Sequence, residues 1–198
     1  MLRLALVLVA CYLIGSIPFP LLVSYGAMGI DLRRYGSGNM GATNAGRVLG
    51  KRWFFVVFAL DCAKGALAAY LAGSLLSGVT PLSPIVAATL GGLAAVMGHC
   101  FPLYVGFKGG VGLAASAGAL LLISPPVLLT AALVLLVVWA FSRNMYLGTV
   151  AAALTFPVTG WFWLRNGQVT YVLAVWGLLI AILHRKDLAA WWTRRSVQ

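Results

Sequence analysis

The sequence predicts an all-α polytopic membrane protein, a bundle of seven transmembrane helices with its polar loops gathered at one face. Three observations carry that reading. The chain of 198 residues is 62% hydrophobic and only 9% charged, against about 25% charged in soluble domains. Uncharged runs fill 4–30, 65–107, 109–142, 144–164 and 166–184, and a spanning helix needs only about 20 mostly apolar residues. The basic residues, finally, fall on alternate loops. Backbone groups in lipid must be satisfied within their own segment, which makes helices the default. Residues 1–198 are read as a single integral membrane domain.

The spans are expected near 2–24, 53–77, 83–100, 110–124, 126–142, 145–164 and 168–184. The first opens "MLRLALVLVACYLIGSIPF", a basic start with a "LVAC" box that resembles a cleavable leader. Its apolar run continues to Val23, beyond the roughly 7–15 residues of a signal core, so it is read as a retained helix. Breaks fall at "SGVTPLSP", "FPLYVGFKGG", "SPP", "SRN" and "LRNGQ", where Pro and Gly punctuate helices. The fourth span, from "GGVGLAASAGALLLIS", is short. Gly73 with Ser77, Gly91 with Ala95, and Ala114 with Gly118 suit close helix approach in lipid. Cys11, Cys62 and Cys100 are scattered in apolar surroundings and offer neither a disulfide framework nor metal-ligand spacing. No metal or cofactor is expected.

With seven spans, one side carries Arg33, Arg34, Arg47, Lys51, Arg52, Lys108, Arg143, Arg185, Lys186, Arg194 and Arg195, and the other only Arg3 and Arg165. The positive-inside rule places the N-terminus outside and the C-terminal tail in the cytoplasm. Formal net charge is +11, the only acids are Asp31, Asp61 and Asp187, and there is no Glu. Contact with anionic membrane lipid accounts for part of this excess. No nucleic-acid partner is expected, because the sequence offers no soluble basic domain or stripe.

Three polar islands lie on the expected cytoplasmic side, each at a helix end: 35–52, 98–112 and 184–195. The first, "YGSGNMGATNAGRVLGKR", offers the donors Ser37, Asn39, Thr43 and Asn44, the flexible Gly38 and Gly41, and the cationic fork of Arg47. Arginine grips phosphate oxygens in a planar, bidentate manner. A turn-rich loop leading into a short helix also uses Asn and Gly, but needs fewer of them. The second island, "GHCFPLYVGFKGGVG", sets Lys108 beside Gly109, Gly110 and Gly112 just before a helix, where free N–H groups and the dipole suit an anion. His99, ending the third span, suits a capping or packing role as well as a functional one. The third island begins with His184, a side chain suited to proton transfer or to an interfacial cap, and carries Trp191 and Trp192 as interface anchors.

Asp61 and Lys64 stand apart inside the second span, one helical turn from each other. Charge in hydrocarbon costs about 3 kcal/mol even on the lenient insertion scale. The pair is expected to face the bundle interior as a structural ion pair that positions the first loop, with a substrate contact as the sharper alternative.

These islands resemble the PlsY-type membrane glycerol-3-phosphate acyltransferases. "SGNMGATNAGRVLGK" is similar to that family's first motif, "DCAKG" to its D-x-x-K-G, "GHCFPLYVGFKGG" to its second motif and "HRKDL" to a shortened third. The resemblance implies a seven-helix bundle that moves a fatty acyl group from acyl phosphate to the 1-hydroxyl of sn-glycerol 3-phosphate, the first acylation of bacterial phospholipid synthesis. It implies that Ser37, Arg47, Lys108 and His184 line the glycerol 3-phosphate pocket, with Arg47, Lys108 and His184 as the catalytic set. Gly109, Gly110 and Gly112 would hold the acyl-phosphate head group. Val111 stands where the second motif usually has another lysine, and Asp187 where the third usually has Asn. Two other classes compete: a transporter of a small phosphorylated anion, which predicts polar residues mid-membrane on several helices, and a non-catalytic lipid-binding scaffold, which leaves the cluster at 37–47 without a reason.

Overall fold

The structure is a computed structural model that describes residues 1–185, 188, 189, 191 and 192. All its regular elements are helical, and its contacts divide the chain into two units, Met1–Ile123 and Ser124–Gln198.

The first unit holds α1 (Leu2–Ser16), α2 (Phe19–Met28), α3 (Ala42–Leu49), α4 (Lys51–Leu76), α5 (Pro84–Cys100) and α6 (Leu113–Ile123). The second holds α7 (Pro125–Ser142), α8 (Met145–Leu154), α9 (Phe156–Leu164) and α10 (Gly167–Leu183). The expected apolar segments all appear as helices, with different ends. The first segment runs on to Met28 and is broken at Ile17–Pro18, because Pro18 and Pro20 supply no N–H to the preceding turn. The sixth is broken at Thr155, ahead of Pro157. Among the described residues, five segments are long and apolar enough to cross a membrane, while Leu113–Ile123 and Gly167–Leu183 are shorter. At about 1.5 Å per residue, the 11 residues of α6 reach only part of a hydrocarbon core of about 30 Å.

The ends obey local chemistry. Gly29 takes the left-handed conformation (φ 67°) after α2 and returns its N–H to the Tyr25 carbonyl, the usual glycine stop. The two "RN" dipeptides each close one helix and open the next. Arg143 and Arg165 are left-handed, and Asn144 and Asn166 then cap α8 and α10 by accepting backbone N–H groups.

Within the first unit α4 is central and packs against α1, α3, α5 and α6. Its interior is lined by small residues: Ala68, Ala69, Ala72, Ala87, Ala95, Ala115 and Ala119 are buried. Larger side chains such as Leu22, Phe55, Leu67 and Tyr70 point outward. This inversion of a soluble core is what lipid as solvent favours, since it matches apolar chains as well as a protein interior does. Side chains added at Gly65 and Gly118 would strike the backbones of Ala115 and Cys62, so α4 and α6 touch main chain to main chain. The second unit follows the same rule, with Gly177 against the Ala153 carbonyl and Trp176 fully buried edge-on to Phe156.

Candidate active site

The first polar island folds as a loop stapled to a short helix. Ala42, Ala45 and Leu49 of α3 are buried in a cluster with Leu32 and Val57. Thr43 and Arg47, four residues apart, share the exposed face. Gly41 caps the helix in extended conformation. Asn44, 2% exposed, accepts the Ser37 N–H at 2.9 Å and donates to the carbonyls of Tyr35 at 3.1 Å and Leu32 at 3.5 Å. A side chain at Gly36 (φ 61°) would collide with that amide. Ser37 is exposed and its Oγ meets the Asn39 N–H at 3.5 Å. Gly38 (φ 71°) donates its N–H to the Tyr35 carbonyl at 3.1 Å. Several of the small polar residues therefore build the loop, and Asn44 spends its amide on loop backbone.

The second island folds back on the end of α5. Gly109 N–H donates to the Cys100 carbonyl at 3.2 Å and Gly110 N–H to the His99 carbonyl at 3.1 Å. Between them lie a 3-10 turn over Leu103–Val105 and two left-handed residues, Gly106 and Phe107, with Phe107 N–H bonded to the Pro102 carbonyl at 2.9 Å. Lys108 projects from this turn and is exposed. The N–H groups of Gly109 and Gly110 are thus taken by protein carbonyls. At the start of α6 the first backbone bond runs from Ser116 N–H to the Gly112 carbonyl at 2.8 Å, so the N–H groups of Leu113, Ala114 and Ala115 have no intrahelical partner.

The two islands meet at an open cavity of about 410 Å³. Asp31, Arg33, Arg34, Gly38 and Met40 line it from the first loop, and Lys108 and Gly109 from the second. Arg33 is clamped by Asp31: its Nε donates at 2.9 and 3.2 Å, its Nη2 at 2.7 Å, and its backbone N–H at 3.0 Å. The Arg33 hydrogen bonds hold the Asp31 carboxyl at about 2, below the ordinary carboxylate range, and the same contact raises Arg33. Reading the sequence assigned Arg33 and Arg34 to topology alone. The signal available was "DLRR", an acid just ahead of paired arginines beside the glycine-rich stretch. Arg47 is not among the residues lining this cavity. Thr43 lines a second, apolar cavity of about 270 Å³ with Gly46, Lys51, Phe54 and Phe55.

Beneath the second loop lies a buried charged group. Lys64 Nζ is 2.8 Å from Asp61 Oδ1, both side chains almost fully buried. Lys64 also donates to the Ile17 carbonyl at 2.9 Å, at the break between α1 and α2. His99, itself buried, places Nδ1 3.5 Å from Asp61 Oδ1. The ion pair expected in the sequence is present and holds the helix break ahead of the first loop.

In the second unit His184 is 1% exposed. Its Nδ1 lies 2.9 Å from the Ile180 carbonyl, and its ring faces Tyr146 at 5.8 Å. A carbonyl only accepts, so Nδ1 carries a hydrogen toward Ile180, and in the neutral ring the lone pair then lies on Nε2. Lys186 and Asp187 of the third motif lie outside the described residues, as do Arg194 and Arg195. Trp191 packs 6.3 Å from Trp192, which is largely exposed.

A helical scaffold with large apolar side chains turned outward thus carries a cavity lined by Arg33, Arg34 and Lys108 between two glycine-rich loops. The model of the glycerol-3-phosphate acyltransferase family matches residues 5–194. The glycerol-3-phosphate acyltransferase of Myxococcus xanthus is 42% identical over 184 residues, covering 93% of each chain. That of Geobacillus kaustophilus is 41% identical over 184 residues, covering 93% of this chain and 90% of the other. The crystal structure of PlsY (YgiH), an integral membrane glycerol 3-phosphate acyltransferase in its glycerol 3-phosphate form, superposes with a TM-score of 0.85 at 34% identity, covering 97% of this chain and 93% of that one. A lysophosphatidic acid form of the same protein matches with a TM-score of 0.85 at 33% identity. This chain belongs to the glycerol-3-phosphate acyltransferase family and is a multi-pass bacterial membrane protein.

Proposed function

We propose that this acyltransferase moves a fatty acyl group from acyl phosphate to the 1-hydroxyl of sn-glycerol 3-phosphate, releasing lysophosphatidic acid and inorganic phosphate. The observation that carries the reading is the cavity where Lys108 joins Arg33 and Arg34. Arg34 and Lys108, beside the Asp31–Arg33 ion pair, leave net positive charge around an opening of about 410 Å³, which suits a phosphorylated substrate.

In the step itself the C1 hydroxyl oxygen bonds to the acyl carbonyl carbon, and the bond from that carbon to the phosphate oxygen breaks. Phosphate leaves with the electron pair. Acyl phosphate is an activated mixed anhydride, so no cysteine or serine nucleophile is needed; positioning and charge stabilisation supply the acceleration. Lys108 and Arg34, which line the cavity, neutralise phosphate charge; Arg47, which the resemblance implies for this role, stands on the exposed face of α3 outside that lining. Asn44 acts at one remove, by holding the loop that carries Ser37 and Gly38. The hydroxyl proton goes to a substrate phosphate oxygen or to His184, whose tautomer suits a base.

The basic residues Arg33, Arg34, Arg47, Lys51, Arg52 and Lys108 on these loops support a cytoplasmic position for this face, with the N-terminus outside, by the positive-inside rule. Two comparisons test the proposal. Purified protein given acyl phosphate forms lysophosphatidic acid, whereas an acyl thioester of the same chain length does not; the reverse result removes the donor assignment. Near-normal turnover by His184→Gln leaves the phosphate oxygen as the proton acceptor.

A further inference from the structure

We infer that Asp61, Lys64 and His99 are positioning residues for the transfer reaction, setting the height of the Lys108 loop from inside the membrane. His99 is the hub. Its backbone carbonyl accepts the Gly110 N–H at 3.1 Å. Its ring lies directly under Gly110, where an added side chain would run into Nε2 on one side and approach the Met40 carbonyl at 2.6 Å on the other. Gly110 is therefore pressed between the His99 ring and the first loop, one residue beyond Gly109 and two beyond Lys108.

The other edge of the ring faces the buried pair. His99 Nδ1 is 3.5 Å from Asp61 Oδ1, and Lys64 Nζ is 2.8 Å from the same oxygen. Neither Asp61 oxygen nor His99 Nδ1 has a well-directed hydrogen bond among the described residues, so the 3.5 Å approach of Nδ1 to the Asp61 carboxylate is the polar contact on that edge of the ring. Lys64 then ties this group to the Ile17 carbonyl at 2.9 Å. Tyr12 adds a second link from α1, its hydroxyl donating to the Phe101 carbonyl at 2.6 Å. A void of about 10 Å³ adjoins Ser16, Lys64, His99 and Gly110, too little for more than a single water. Three helices, α1, α4 and α5, thus fix the floor on which the Lys108 turn rests. Residues buried this deeply touch no substrate; they act through Gly109 and Gly110.

The inference rests on the reading that the Lys108 cavity receives a phosphate. It is tested by calorimetric binding of glycerol 3-phosphate to the full-length protein in detergent, together with steady-state kinetics and thermal midpoints. His99→Phe keeps a ring under Gly110 but cuts the link to Asp61. We expect its midpoint to stay within a few degrees of wild type, its Kd and KM for glycerol 3-phosphate to rise at least fivefold, and kcat to fall at least tenfold. His99→Gln, which keeps a polar group toward Asp61, restores most of the loss. Should His99→Phe fail to fold, the double variant Asp61→Asn/Lys64→Met, which removes both charges together, carries the same expectation. Binding and turnover within twofold of wild type in the variant that folds, or equal damage from His99→Gln, overturns the inference alone. If Lys108→Ala binds glycerol 3-phosphate as wild type does, the cavity reading falls and the inference with it.

Discussion

The Asn44 side-chain oxygen accepts the Ser37 N–H at 2.9 Å while its amide nitrogen reaches the Tyr35 carbonyl at 3.1 Å. One buried side chain thereby fixes both flanks of Gly36 and gives the first loop its shape. Asn44→Ala leaves those backbone groups without their partner, a loss of about 1–3 kcal/mol. Thermal unfolding in detergent should show the lower stability, and KM for glycerol 3-phosphate should rise more than kcat falls.

Arg34 lines the cavity beside Lys108, whereas Arg33 is already clamped by Asp31. We therefore expect Arg34→Ala to cost more affinity than Arg33→Ala. The loss of one charge-assisted contact, about 1.5–3 kcal/mol, corresponds to roughly a tenfold to hundredfold rise in KM for the phosphorylated substrate it serves. Varying each substrate in turn identifies which one.

Lys64 and Asp61 are worth more together than either is alone. Removing one member leaves an uncompensated buried charge, at a cost of about 3–5 kcal/mol. Lys64→Met should therefore unfold at a markedly lower temperature than the double variant Asp61→Asn/Lys64→Met. Equal midpoints for the two proteins would show that the pair is not coupled.

The Asp31 carboxyl, held at about 2 by Arg33, gives a signed dependence on pH. Its folded value lies below an unfolded value of roughly 3.9, so its contribution is present above about pH 4 and is lost as pH falls toward 2. The stability difference between wild type and Asp31→Asn should be constant from pH 5 to 8 and shrink below pH 4. It should also diminish with added salt, because the contact is solvent-exposed.

Much of this architecture was legible because lipid imposes simple rules. Long uncharged runs predict helices and their breaks at "SPP", "SRN" and "LRNGQ" are visible, while the Asn144 and Asn166 caps and the left-handed Arg143 and Arg165 that make two of those breaks emerge only in the structure. Boundaries were less legible where two prolines close together divide one apolar run, as at Pro18 and Pro20, because hydropathy does not register a missing N–H. The polar islands stood out by composition, and Lys108 of the second lines a cavity with residues of the first loop. Tertiary partners were hidden. No pattern told that Asn44 would turn inward while Thr43 and Arg47 turned out, that the Gly109 and Gly110 amides would close on α5, or that His99 would face Asp61 from another helix. Arg33 and Arg34 were visible as charge but were absorbed by the positive-inside rule, which counts cations without asking what they surround.

The central claim is that the Lys108 cavity receives a phosphorylated substrate during acyl transfer, and one assay tests it most directly. Purified protein in detergent is supplied with acyl phosphate and labelled glycerol 3-phosphate, and labelled lysophosphatidic acid and released phosphate are measured together for wild type and Lys108→Ala. The account predicts equal amounts of the two products from wild type and a fall of about 10²–10³-fold in the variant, the usual consequence of deleting one transition-state donor. Wild-type protein that makes no lysophosphatidic acid, or a Lys108→Ala protein that makes it at the wild-type rate, would contradict it.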